Sequence, residues 1–134
     1  MSVRPGTVWQ VPSKQTVEFI QHLVEAFPAL QEDYECHVFN NAGETLPHLF
    51  TFMELMDAVV GAYLGDEEYR DLDWAAVLTY LDKQLAETED AQVRGVILAS
   101  FVEDLPSPGE PAYALVNHLG PHLAQAFAEK RPGG

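Results

Sequence analysis

The chain has 134 residues, with 21 Asp and Glu against 7 Lys and Arg, giving a formal net charge of −14 with neutral histidines. That length suits one domain, and a hydrophobic content of 47% excludes a disordered acidic tail, which lacks the apolar area to offset chain entropy. The charge disfavours nucleic acid and anionic lipid as partners and favours a basic protein.

From Gln15 to Tyr69 there is no Lys or Arg, while Asp and Glu occur eleven times. Cys36 is the single cysteine, which excludes an intrachain disulfide and a cysteine-based metal site. The opening residues have no apolar signal-peptide core and no apolar run approaches membrane-spanning length, so a cytoplasmic protein is expected.

Residues 1–12 contain Pro5, Gly6 and Pro12 and read as an irregular arm, with Val8, Trp9 and Val11 able to pack on a core. Residues 13–128 read as one all-helical domain. Ser13 is an N-cap for a helix over Lys14 to Phe27, whose apolar face uses Val17, Ile20, Val24 and Phe27 before Pro28 closes it. Across 29–39, Leu30, Tyr34 and Val38 fit a helical stripe, whereas Tyr34, Cys36 and Val38 fit a strand face. The helix is favoured, because Asn40-Asn41-Ala42-Gly43 resembles a helix stop and a lone strand has no partner to pair with.

The clearest helix starts at Thr45-Leu46-Pro47 and carries Leu49, Phe52, Met53, Met56, Val59, Val60 and Tyr63 at helical spacing, with Gly65 as its stop. An acidic loop over 66–72 leads to Asp73, an N-cap for a helix burying Trp74, Val77, Leu78, Leu81 and Leu85. Thr88-Glu89-Asp90 opens the next helix, with Val93, Val96, Ile97 and Phe101. Pro106-Ser107-Pro108-Gly109-Glu110-Pro111 must be a loop. A helix over Pro111–Leu119, a Gly120-Pro121 interruption and a closing turn through Ala128 follow, then a frayed tail over 129–134. Six or seven short helices with short connections predict an all-α domain packed as antiparallel helical hairpins. The expected core is Val24, Phe27, Leu49, Met53, Val60, Leu78, Leu81, Ile97 and Phe101.

Chemistry-bearing residues are sparse. His118 and His122 have the spacing of two metal ligands on one helix, but Gly120-Pro121 breaks that helix and the Glu of a hydrolytic zinc site is replaced by Leu119. No metal and no cofactor are expected. Cys36 and His37 are adjacent and diverge, so Cys36 reads as a small buried hydrophobe. Ser100 lies among Val96, Ile97 and Phe101 with no evident base. His48 follows Pro47 at a helix start, where the local dipole favours neutral imidazole. With Glu103, it is a candidate polar pocket. Asp66, Glu67, Glu68, Tyr69, Asp71 and Asp73 form the densest acidic cluster and a candidate surface for a basic partner. It lacks the central Gly and terminal Glu of a calcium loop.

Leu46-Pro47-His48-Leu49-Phe50, Ser100-Phe101-Val102-Glu103-Asp104-Leu105 and Leu119-Gly120-Pro121 together resemble a family of small acidic all-helical bacterial proteins of unknown function, similar to the immunity proteins found beside secreted toxins. The resemblance extends from the first helix to Phe127 and implies fold more than activity. Thr51-Phe52-Met53-Glu54 departs from the family's pattern, which has a small residue and an Asp there. The expected function is a non-enzymatic, acidic protein-binding module, most concretely an immunity-type inhibitor of a basic, toxin-like partner. Two alternatives stand beside it: a structural homodimer or complex subunit whose acidity serves solubility, and a small-ligand binder or enzyme with a pocket around His48 and Glu103.

Overall fold

The computed structural model describes residues 12–134, so the expected arm, apart from Pro12, lies outside the described residues. Ser13 caps α1 (Lys14–Ala26), its hydroxyl accepting from the Thr16 N–H at 3.2 Å and satisfying a donor that the helix itself leaves free. Phe19, Ile20, Leu23 and Val24 face inward. Pro28 starts a short 3-10 turn, Pro28–Leu30, and α2 (Gln31–Asn40) follows, so the segment open to two readings is helical. It stops where expected. Ala42 and Gly43 take positive φ values of 58° and 84°, and the Gly43 N–H reaches the Val38 carbonyl at 2.8 Å.

Burial on α2 reverses one expectation. The inward stripe includes Leu30 and His37, whereas Cys36 is exposed. His37 continues the stripe one turn beyond Leu30 and Tyr34, and Cys36, one residue earlier, is rotated off it.

The central rod consists of α3 (Pro47–Leu49), a π-wound segment Phe50–Leu55, and α4 (Met56–Tyr63). Met56 and Val59 of α4 are buried as expected, but the register before them differs from the expected one. Phe50, Thr51, Leu55, Ala58 and Val59 are buried, while Leu49, Phe52 and Met53 are 36%, 50% and 53% exposed. The rod is apolar around most of its circumference, so spacing alone did not choose its inner face. The wider π turn, with i→i+5 bonding, then displaces residues relative to a regular helix. Leu49 and Met53 therefore drop out of the expected core.

Asp73 caps α5 (Trp74–Glu87) through the Ala76 N–H, and Asp90 caps α6 (Ala91–Ile97) through the N–H groups of Gln92 and Val93. The latter passes into a second π-wound segment, Leu98–Val102. Beyond the proline-rich loop, a 3-10 helix over Tyr113–His118 replaces the expected α-helix. The last helix, α7 (Pro121–Lys130), has Gly120 at its N-cap, which offers no side chain. Asp82 of α5 supplies the missing acceptor, taking the N–H groups of His122 and Leu123 at 2.8 Å each. Where a frayed tail was expected, α7 runs to Lys130 and Arg131 donates to the carbonyls of Leu105, Pro106 and Gly134 while lying over the Phe127 ring.

Among the described residues the protein is all-α, with seven α-helices and no strand, closed around a single core. Val24, Leu78, Leu81, Ile97 and Phe101 are buried as expected, and Phe27 and Val60 are half-buried. Helix α1 packs on α6, α5 packs on α4 and α7, and the two π segments pack on each other.

Candidate functional site

The acidic loop has a defined shape because two of its carboxylates serve the backbone. Asp66 accepts the Glu68 N–H at 2.9 Å and Asp73 accepts the Ala76 N–H at 3.0 Å. Tyr69 is not available to a partner: it is 8% exposed and its ring packs against Gly61, where a Cβ would come within 2.9 Å. Burial, then the nearby charges of Asp33 and Glu68, push its hydroxyl far above the usual tyrosine range. Glu67 pairs with Arg70 at 3.5 Å. Glu68 and Asp71 remain exposed, with no cationic partner among the described residues.

His48 and Glu103 do not pair. His48 Nδ1 lies 2.6 Å from Ser100 Oγ, and Glu103 pairs with Lys130 at 3.7 Å across to α7. Ser100, which had no evident base in the sequence, thus has an imidazole beside it. It is itself 6% exposed, so a substrate would have to displace packed neighbours to reach it. The contact joins the rod to the second π segment, and with them the Leu46–Phe50 and Ser100–Leu105 motifs.

A second polar cluster, invisible as a pattern, lies between α2 and the rod. His37 is 1% exposed; its Nε2 accepts the Leu46 N–H at 3.0 Å, which leaves the ring proton on Nδ1, facing Glu54 Oε1 at 3.4 Å. The ring meets Phe50 edge-on at 5.3 Å. Asp33 Oδ2, Thr51 Oγ1 and Glu54 Oε2 are buried without hydrogen-bond partners. Burial raises the Asp33 pKa above 3.8, opposed by Tyr69 and reinforced by Glu54, Glu32 and Asp57.

Phe52 and Met53, which the π segment turns outward, line a groove of about 430 Å³. One wall is Phe52, Met53, Met56, Val60 and Leu64 of the rod and its end. The other is Pro106, Pro111 and Ala112 of the proline-rich loop. Its carboxylates are Asp57 from the rod, Asp104 from the turn after the second π segment and Glu110 from the loop, and among the described residues its lining includes no Lys or Arg. Burial, then Glu103, raise the Asp104 pKa, while Arg131 lowers it. Neither His48 nor Glu103 lines this groove. The sequence carried one signal for it: a rod with more apolar residues than one inward stripe needs.

His118 stacks edge-on with Trp74 at 5.0 Å, whereas His122 faces Asp82 at 3.4 Å, so the two imidazoles have separate surroundings. Among the described residues no helix is long and apolar enough to cross a membrane, and no three His, Cys, Asp or Glu converge in a way that would hold a metal ion.

No curated protein and no solved structure matches the chain. A family match covers residues 20–131, from α1 through the motifs that meet at His48 and Ser100 to Arg131. By that match the chain belongs to the family described as a domain of unknown function, DUF7674.

Proposed function

We propose that the protein is an acidic, non-enzymatic module that binds a basic protein partner, with immunity-type inhibition of a toxin-like enzyme as its most concrete form. The observation that carries this reading is the unneutralised surface. A net charge of −14 is left over after the local ion pairs are made, and Glu68 and Asp71 stand exposed beside carboxylates already engaged in capping. Because the caps hold the loop, the free charges keep a fixed position. They can raise the encounter rate with a basic face at little ordering cost. An enzyme that acts on nucleic acid needs such a basic face for phosphate, and an acidic protein seated there blocks it. A cytoplasmic setting suits this reading, since Cys36 is free and exposed.

The test is kinetic. The protein encoded beside this one, or a basic partner recovered by pull-down, is bound to wild type and to a variant carrying Glu67→Lys, Glu68→Lys and Asp71→Lys. Association should slow with added salt and slow further in the variant, while dissociation changes less and the melting temperature stays near wild type. Association that ignores both salt and the reversal overturns the reading.

A further inference from the structure

We infer that the groove between the rod and the proline-rich loop is a docking seat for a basic amphipathic helix. This deepens the reading above and rests on it. Phe52, Met53 and Leu64 are each at least half exposed, at 50%, 53% and 52%, although Phe50, Leu55, Ala58 and Val59 beside them are fully buried. Large apolar side chains grouped along a concave surface, rather than scattered, mark an interaction site.

Charge decides the occupant. Asp57 of the rod and Asp104 and Glu110 of the opposite wall flank the apolar floor, with no basic side chain in the lining among the described residues. The matching ligand has an apolar stripe bordered on both sides by Lys or Arg, which is the surface of a basic amphipathic helix. A second copy of this chain is a poor fit, since it would set one acidic rim against another and each copy brings −14. Burial and then Glu103 raise the Asp104 pKa while Arg131 lowers it. A further guanidinium or ammonium placed beside it would favour the charged carboxylate and strengthen the contact as the groove dries. Leu64, at one end of the groove, stands two residues before Asp66, so the acidic loop that would steer the ligand in follows directly along the chain.

The probe is a short fluorescein-labelled peptide with Leu and Phe at helical spacing and Lys at the flanking positions. One control replaces the apolar anchors by Ser and keeps the charge; another keeps the anchors and replaces Lys by Glu. Anisotropy titrations use wild type and a variant carrying Phe52→Ser and Met53→Ser, both exposed positions. The parent peptide should bind, and removing its anchors should weaken it roughly tenfold or more. The variant should lose the parent peptide by a similar factor and bind the Ser control as wild type does.

If parent and Ser control bind alike, or the variant keeps full affinity, the groove is not the seat, while attraction of basic partners survives. If the Glu control binds as well as the parent, charge selects nothing and both readings fall. Absence of any parent binding overturns the docking inference. So does concentration-dependent dimerisation of wild type that the double substitution abolishes, which would make a second copy the occupant.

Discussion

Phe50 and Met53 test the register of the rod against each other. The regular helical spacing puts Met53 inside, whereas the π-wound segment puts Phe50 there at 0% exposure and leaves Met53 at 53%. Phe50 meets the His37 and Tyr34 rings edge-on at 5.3 and 5.8 Å, so Phe50→Ala removes a buried ring and two oriented aromatic contacts. Transfer and cavity terms for such a truncation come to about 3–5 kcal/mol. Each aromatic contact is worth about 0.5–1.5 kcal/mol beyond its area, part of which the cavity term already counts. A loss of about 4 kcal/mol is the working figure. Met53→Ala removes a side chain that is half in water and should cost under about 1 kcal/mol. In urea, with a slope near 2 kcal/mol/M for a domain of this size, Phe50→Ala should lower the midpoint by roughly 2 M and Met53→Ala by less than about 0.5 M. Equal slopes would confirm that both variants unfold from a similar native state. A Met53 variant that loses as much as the Phe50 variant would refute the π register and, with it, the groove.

Three further outcomes follow from single contacts. Asp82→Ala removes the acceptor for two N–H groups of α7 and should cost about 0.5–2 kcal/mol by thermal melting, with Asp82→Asn recovering part of it. Gly61→Ala should destabilise despite the better helix propensity of Ala, because its Cβ would meet the Tyr69 ring at 2.9 Å; a melting temperature at or above wild type would show that the ring yields. Asp33→Asn should stabilise at neutral pH, since burial raises the Asp33 pKa above 3.8 in the fold. A carboxyl raised in this way contributes its full stability below the unfolded value and loses it as pH rises through the folded one. The advantage of Asn should therefore shrink as pH falls toward 3.8 and below; an advantage independent of pH would assign the effect elsewhere.

Much of the fold was legible because it depends on local chemistry. Ser13, Asp73 and Asp90 are caps that act on N–H groups two or three residues away, and Asn41-Ala42-Gly43 and Gly65 end helices through their own backbone conformations. Such signals need no distant partner. The buried faces of α5 and α6 were legible for the same reason, as each has one apolar stripe.

What escaped the sequence depends on partners far along the chain. The rod is apolar on more than one face, so only packing against α2 and the second π segment could decide that Phe50 enters the core and Met53 does not. His37 looks like any polar residue until Leu46 and Glu54 close around it, and Ser100 has no base until His48 arrives 52 residues away. Gly120 offers no cap of its own, and the carboxylate that replaces one comes from Asp82 on another helix. The sequence by itself determined an acidic, all-helical domain with its breaks in place, since caps, stops and stripes act within a turn or two. Tertiary structure alone decided which side of the rod meets the core, and therefore which apolar residues are left to form the groove.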